Sequence, residues 1–372
     1  MKTILYVVGA RPNFVKAAPV IQALAGDQDI RQVIVHTGQH YDPALSDEVL
    51  HDLGFPLPDR FLGVGSGTHA EQTGKTLIAV ERALIDDRPD LVVVSGDVNA
   101  TLAAALAAAK LCIPIAHIES GLRSRDWSMP EEINRVLTDR LCEILFTHSP
   151  EARDNLTLEG IEATRIHHVG NTMIDSLRRF EGPARMAEAW RSVGVEPGTF
   201  VLVTLHRPSN VDDDERLAAI VGALAELARS VPVVFPIHPR TAARLEASGG
   251  DERLAGAGIQ CLGPLGYLDF LSLELAAGAV LTDSGGIQEE TSALGIACYT
   301  LRANTERPVT LTSGTNRLLG DDPTSIAAIR PSPAGPPARI PLWDGHAGER
   351  AATVLAAAVS ELGTGARLSV PT

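Results

Sequence analysis

Short runs of β-branched residues alternate along this chain with alanine- and leucine-rich stretches of helical length, and the whole series then starts again. ILYVV (Ile4 to Val8) is followed by VKAAPVIQAL, QVIVHT, LVVVSG, TLAAALAAAKL and PIAHIE. Apolar strands separated by helices point to a parallel sheet covered on both faces. A second series opens near Thr199 with FVLVTL and continues through ERLAAIVGALAELA, VPVVFPIH, YLDFLSLELAA, AVLTDSGG and IACYTL. At 372 residues the chain exceeds one ordinary core. The expected fold class is therefore α/β, with two Rossmann-like doubly wound domains facing a central cleft.

The two halves echo each other. The first strand runs into GARPNF (Gly9 to Phe14), and the strand FVLVTL runs into HRPSN (His206 to Asn210), so each half sets Arg-Pro and an Asn after its first strand. Ligands of doubly wound sheets bind beyond the carboxyl ends of the strands, where both loops would lie. We expect an N-terminal domain over residues 1–175, a C-terminal domain over 176–345, and a helix with a tail over 346–372 that packs back toward the first domain. The linker is expected between His168–Leu177 and Thr199, and an irregular loop from Arg330 to Pro341.

Charge narrows the partners. With 46 acidic against 32 basic residues the net charge is -14, which repels a polyanion, so no nucleic acid is expected. A small phosphorylated ligand needs only a few converging cations. The opening apolar run is too short to span a bilayer and lacks a signal-peptide cleavage site, and the four cysteines form no CxxC pair. No membrane partner and a cytoplasmic location are expected.

TDSGGIQEE (Thr282 to Glu290) follows a strand and precedes a helical stretch. Ser284, Gly285 and Gly286 would let the backbone approach a phosphate at a helix N-terminus, and Glu290 could accept from ribose hydroxyls. The plain alternative is a tight turn and a capped helix. Arg11 and Lys16 flank the start of the first helix, and Arg307 in NTERPVT adds a cation suited to a diphosphate; each could instead be a solvated surface charge. Asp97 in SGDVNAT and Glu119 in HIESGLRS follow strands, and Glu131 lies in MPEEINR. Carboxylates in a partly dry cleft suit acid/base work. Asp97 could equally cap a helix, and Glu132 and Arg135 stand at helical ion-pair spacing. His206 and His238 follow strands and could touch phosphate or sugar, whereas His117 alternates with apolar neighbours and reads as structural. No metal-ligand spacing appears, and neither GxSxG nor GxxxxGK[ST] is present.

Taken in order, GARPNFVK, TGQHYD, SGDVNAT, HIESGLRS, MPEEINR, HVGNT, TLHRPSN, TDSGGIQEE, NTERPVT and GTNRLLG resemble the non-hydrolysing UDP-N-acetylglucosamine 2-epimerases from about Gly9 to about Gly320. The resemblance implies a glycosyltransferase-B type fold and a homodimer that needs no metal or redox cofactor. It implies interconversion of UDP-N-acetylglucosamine and UDP-N-acetylmannosamine through elimination of UDP to a 2-acetamidoglucal. Nucleotide contacts would fall on Arg11, Lys16, Phe270, Ser284, Gly285, Gly286, Glu290 and Arg307, with Phe270 against uracil. Asp97, Glu119, Glu131 and Arg135 match residues implicated in catalysis, and His206 matches a histidine near the phosphates. Hydrolysing 2-epimerases, epimerases of related UDP-2-acetamido sugars, UDP-sugar glycosyltransferases and a silent sugar-nucleotide sensor share parts of this pattern. The carboxylate set favours proton transfer at the sugar.

The chain departs from the family in two places. GQHYD stands where many bacterial members have an AQHR-type segment, and Glu71 to Thr73 stand where an arginine would bind a second, activating UDP-N-acetylglucosamine. Ser120 replaces a commoner alanine beside Glu119. Turnover of UDP-N-acetylmannosamine is expected to start at full rate in a progress curve. A lag abolished by trace UDP-N-acetylglucosamine would overturn this.

Overall fold

The computed structural model describes residues 1–38 and 55–361, apart from the side chain of Arg11. Two compact units make up the chain: Met1–Ser176 together with the segment from Pro341 onward, and Leu177–Ile340.

In the first unit the β-branched runs become seven parallel strands, β1 (Lys2–Val8), β2 (Ile30–His36), β3 (Arg60–Phe61), β4 (Leu91–Ser95), β5 (Ile115–Ile118), β6 (Ile144–Thr147) and β7 (Ile166–His168). They lie in the order β3-β2-β1-β4-β5-β6-β7. Leu5, Val7, Val33, Val35, Val92, Val94 and Leu145 fill the core. Helix Asn99–Lys110 buries Ala103, Ala104, Ala105, Ala107 and Ala108, whose small side chains let it lie close to its neighbours.

The second unit repeats the plan with β8 (Val201–Thr204), β9 (Val233–Pro236), β10 (Gln260–Leu262), β11 (Ala279–Thr282), β12 (Cys298–Thr300) and β13 (Asn316–Leu318), ordered β10-β9-β8-β11-β12-β13. Val201, Val203, Leu224, Val233, Phe235 and Leu281 belong to its core. In each sheet the strand order reverses beside the first strand, between β1 and β4 and between β8 and β11. That reversal opens a crevice beyond the carboxyl ends, because the loops on its two sides lead to helices on opposite faces.

The last helix, Ala347–Glu361, belongs to the first unit and packs on helix Arg11–Ala23 and β1. Its start is held by Asp175, whose carboxylate accepts from Ala347 N at 3.1 Å and Gly348 N at 2.6 Å. A Cβ on Gly348 would lie 2.7 Å from the Pro19 carbonyl carbon, so only glycine permits this approach. The stretch leading to Thr199 is helical, over Thr172–Ala187 and Ala189–Val193. Residues 330–340 carry neither helix nor strand. Among the described residues no helix is long and apolar enough to cross a membrane.

Candidate active site

In the first unit the charged residues gather where β1, β4 and β5 end. Asn13, in the first turn of helix Arg11–Ala23, accepts from Gly9 N at 3.2 Å and Ala10 N at 2.9 Å and donates to Ser95 O at 2.7 Å. It thereby fastens the loop after β1 to the end of β4. One helical turn on, Lys16 Nζ lies 2.7 Å from Glu119 Oε2, with both side chains about 5% exposed or less. Gly96 makes room for the ammonium: its φ is +66°, and a Cβ would sit 3.0 Å from Lys16 Nζ. Glu119 itself adopts φ +69°, a left-handed conformation that costs a non-glycine residue energy and persists where surrounding contacts dictate it.

Asp97 does not cap the following helix, whose N-cap is Val98. Its Oδ2 instead accepts from Arg135 Nε at 2.9 Å and Nη2 at 2.7 Å. Arg135 also donates through Nη1 to Glu132 Oε2 at 2.7 Å, so the helical pair at this spacing forms and is extended to Asp97. Glu132 is the interior anchor, accepting from Ser124 N, Ser124 Oγ and Arg125 N. Its neighbour Glu131 is half-buried, and its side chain makes no hydrogen bond or ion pair among the described residues. Such a carboxylate is available to a ligand.

Beneath these groups His117 joins Asp139 Oδ1 at 2.7 Å to the Gly96 carbonyl at 2.8 Å, which is a structural role. Burial alone would raise the Asp139 carboxyl, but His117 and Arg123 outweigh it and hold it below its ordinary value.

In the second unit the centre is Asp283, fully buried at the end of β11. It accepts from His206 N at 3.0 Å, Arg207 N at 2.9 Å and Asn210 Nδ2 at 3.1 Å, and His206 Nδ1 lies 3.1 Å away. The repeated asparagine now has its explanation. Asn13 ties the loop after β1 to the end of β4, and Asn210 ties the loop after β8 to Asp283, the residue that follows β11. His238 caps helix Pro239–Ser248, accepting from Arg240 N at 3.2 Å, and its ring centroid lies 5.4 Å from that of His206.

Ser284 is the N-cap of helix Gly285–Leu294, and its side chain makes no capping bond. Ser284, Gly285 and Gly286 are partly exposed, and this first turn presents backbone N–H groups to an anion. Arg307 packs on that turn, and a Cβ on Gly285 would fall 2.1 Å from Arg307 Nη1. Glycine is needed there. Arg307 is buried and ion-paired, to Glu289 at 3.1 Å and to Glu306. Glu306 also takes Arg302 at 2.6 Å and Arg207 at 3.6 Å, and Arg207 N donates to the Asp283 carboxylate at 2.9 Å, so three guanidinium groups and three carboxylates interlock beside the glycine turn. Glu290, 3% exposed, accepts from the Tyr267 hydroxyl at 2.9 Å. Phe270 is half-buried on helix Tyr267–Ala276.

Of the residues expected at the site, Lys16, Asp97, Glu119, Glu131 and Arg135 gather in the first unit, and His206, Phe270, Ser284, Gly285, Gly286, Glu290 and Arg307 belong to the second. The Arg11 side chain and Gln39 to Asp42 of GQHYD lie outside the described residues. Glu71 is engaged in a reciprocal cap with Thr68 at the start of helix His69–Asp87. Asp283 lies within TDSGGIQEE and Glu306 within NTERPVT, yet neither is singled out by the sequence, because the partners that make each of them central include residues distant in the chain.

Two parallel doubly wound sheets, one ending in buried ion pairs and one in a glycine turn bordered by ion-paired arginines, define an α/β protein of the glycosyltransferase-B type. Residues 22–356 match the family of UDP-N-acetylglucosamine 2-epimerases. The chain is 46% identical over 323 residues to the UDP-N-acetylglucosamine 2-epimerase of Methanocaldococcus jannaschii, covering 85% of this chain and 88% of that protein. It is 45% identical over 320 residues to the UDP-2,3-diacetamido-2,3-dideoxy-D-glucuronate 2-epimerase of Pseudomonas aeruginosa, again covering 85% and 88%. The crystal structure of the M. jannaschii enzyme with UDP-GlcNAc and UDP aligns with a TM-score of 0.86 at 41% identity, over 96% of this chain and 100% of that one. The Neisseria meningitidis enzyme bound to UDP-GlcNAc aligns with a TM-score of 0.83 at 29% identity, over 95% and 100%. This chain belongs to the UDP-N-acetylglucosamine 2-epimerase family, whose members are non-hydrolysing isomerases.

The Asp283 clamp carries a pH signature. Burial by itself would raise this carboxyl, yet the bonds from His206, Arg207 and Asn210 hold it below its ordinary 3.8. A carboxyl depressed by folding contributes stability that is fully present above 3.8 and is lost as pH falls through the lower folded value. Asp283→Asn should therefore cost about 1–3 kcal/mol at neutral pH in urea unfolding. The gap from the parent should close in acid, and a gap independent of pH would refute the clamp's charge.

Proposed function

We propose that this chain interconverts UDP-N-acetylglucosamine and UDP-N-acetylmannosamine in the cytoplasm, supplying a precursor of surface polysaccharide. The observation that carries the reading is that one unit holds a glycine turn at a helix start and the other holds a set of carboxylates, two of them paired to cations. C2 of the sugar bears a weakly acidic hydrogen and no adjacent carbonyl, so direct deprotonation is unfavourable. Elimination avoids that carbanion. A carboxylate takes the C2 proton, the C1–O bond to UDP breaks as the C1=C2 bond forms, and UDP leaves with the electron pair. UDP then adds back at C1 while C2 is protonated on the opposite face.

The first turn of helix Gly285–Leu294, the Arg307 guanidinium and the His206 imidazole would stabilise the departing diphosphate, and Glu290 would hold the ribose. Asp97 and Glu119, each paired to a cation, and the unpaired Glu131 supply candidates for base and acid. A substrate of the UDP-2,3-diacetamido uronate type is the second reading, favoured by the near-equal identity to the Pseudomonas relative. Its chemistry at C2 is the same.

A homodimer completes the proposal. Ile78 and Ile85 on helix His69–Asp87, and Ile133 and Leu137 on helix Pro130–Leu141, are 39–52% exposed, and both helices pack on helix Asn99–Lys110. The face continues into an open groove of about 440 Å³ lined in part by Thr73, Gly74, Pro130 and Ile133. An apolar face of this kind fits a second copy across a two-fold axis.

Two measurements test these readings. Proton NMR with UDP-N-acetylglucosamine in heavy water should show deuterium at C2 and a UDP-N-acetylmannosamine signal. Asp97→Asn and Glu131→Gln should each slow exchange roughly 10²–10⁴-fold. Free N-acetylmannosamine would mean hydrolysis, and exchange only with the diacetamido uronate would transfer the assignment to that sugar. In sedimentation the chain should run at twice its 39.4 kDa, and Leu137→Asp should return it to one copy; a monomeric parent chain would exclude the dimer.

A further inference from the structure

Helix Tyr267–Ala276 buries Tyr267, Leu271 and Glu274, which are spaced four and three residues apart and so share one face. Two of these do what such positions ordinarily do. Tyr267 packs its ring edge-on against Phe180, with centroids 5.9 Å apart, and Leu271 is fully enclosed. The third is a carboxylic acid with no exposure at all.

Neither Glu274 oxygen receives a hydrogen bond from a donor among the described residues. An isolated carboxylate in that position would carry the full cost of burying a charge. Two further titratable groups face it besides the Tyr267 of its own helix: Glu290 on helix Gly285–Leu294, in hydrogen-bonding range, and Cys298 on β12. Cys298, its thiol pushed up to about 12 mainly by burial, supplies no positive charge. Burial first, and then the neighbouring charge of Glu290, push the Glu274 carboxyl well above the usual range. A neutral carboxyl has one O–H to donate, and the acceptor beside it is the Glu290 carboxylate.

We propose that Glu274 is a positioning residue of the nucleotide pocket: it keeps its proton, donates it in a hydrogen bond to Glu290, and with the Tyr267 hydroxyl aims the Glu290 carboxylate at the ribose. The inference rests on the proposed reading of Glu290 as the ribose ligand. Two donors from one helix, Tyr267 and Glu274, then grip Glu290 and fix the direction in which its carboxylate faces the ribose hydroxyls. A carboxylic acid held neutral so that it can donate is an established way for a protein to use an apolar site. A salt bridge in the same position would hold Glu290 as well but would draw its charge away from the ligand.

The test compares UDP with 2′,3′-dideoxy-UDP, which lacks the hydroxyls Glu290 would bind, by calorimetric titration of the parent protein, Glu290→Gln, Glu274→Met and Glu274→Gln. The parent should prefer UDP by about tenfold, the ratio that one good hydrogen-bonded contact produces. Glu274→Met should lose most of that preference while binding the dideoxy ligand as the parent does, and Glu274→Gln, whose amide can still donate, should keep it. A merely structural role would weaken both ligands alike. In parallel, the parent at neutral pH should show a protonated-carboxyl infrared band that Glu274→Gln lacks, a readout that survives even if the methionine variant does not fold. A parent protein without affinity for UDP would defeat the nucleotide reading itself. Loss of the preference in Glu290→Gln but not in Glu274→Met, or absence of the infrared band, would overturn this inference and leave that reading standing.

Discussion

A carboxylate taken out of water at the end of a parallel strand has to be met by donors, and this requirement organises both halves of the molecule. Asp283 is met by two backbone N–H groups, an asparagine and a histidine. Asp97 is met by two nitrogens of Arg135, Glu119 by Lys16, and Glu132 by a loop backbone and Arg135. Each match pulls together a loop, a strand end and a helix start. The charges at the carboxyl ends of the two sheets are shared among these partners, and the groups left over among the described residues are the Glu131 side chain and the first turn of helix Gly285–Leu294.

The two sheets solve one problem with different chemistry. Both reverse strand order beside their first strand, and both use an asparagine after that strand to fasten the loop across the reversal. In the first unit the fastening supports acid–base pairs. In the second it supports a glycine turn on which Arg307 packs against backbone. The same scaffold is thus dressed in two ways, with side-chain ion pairs at one set of strand ends and free backbone N–H groups of a helix start at the other.

Selectivity among UDP-2-acetamido sugars rests on a smaller scale than either. Relatives at 46% and 45% identity act on different sugars, while the elimination and re-addition at C2 would be common to both. A few pocket side chains can discriminate such substrates without changing the groups that do the chemistry. Ser120, fully buried, is the chain neighbour of Glu119.

The fold was legible in the sequence because it is written in local periodicity: β-branched runs, alanine-rich helices and a restart near Thr199. Glycine turns such as Gly285 and Gly286, and carboxylates after strands such as Asp97 and Glu119, were legible for the same reason, since their neighbours in sequence are their neighbours in the fold. The sequence by itself determined two doubly wound sheets and the family. Tertiary structure alone decided which charges are used up in pairs. Arg135 reaches back 38 residues to Asp97, Asn210 reaches across 73 to Asp283, and Glu274 meets Glu290 on another helix. No local pattern encodes such partners, because an ion pair or a shared proton depends on distance and burial in space, and those exist only once the strands have been ordered and their ends brought together.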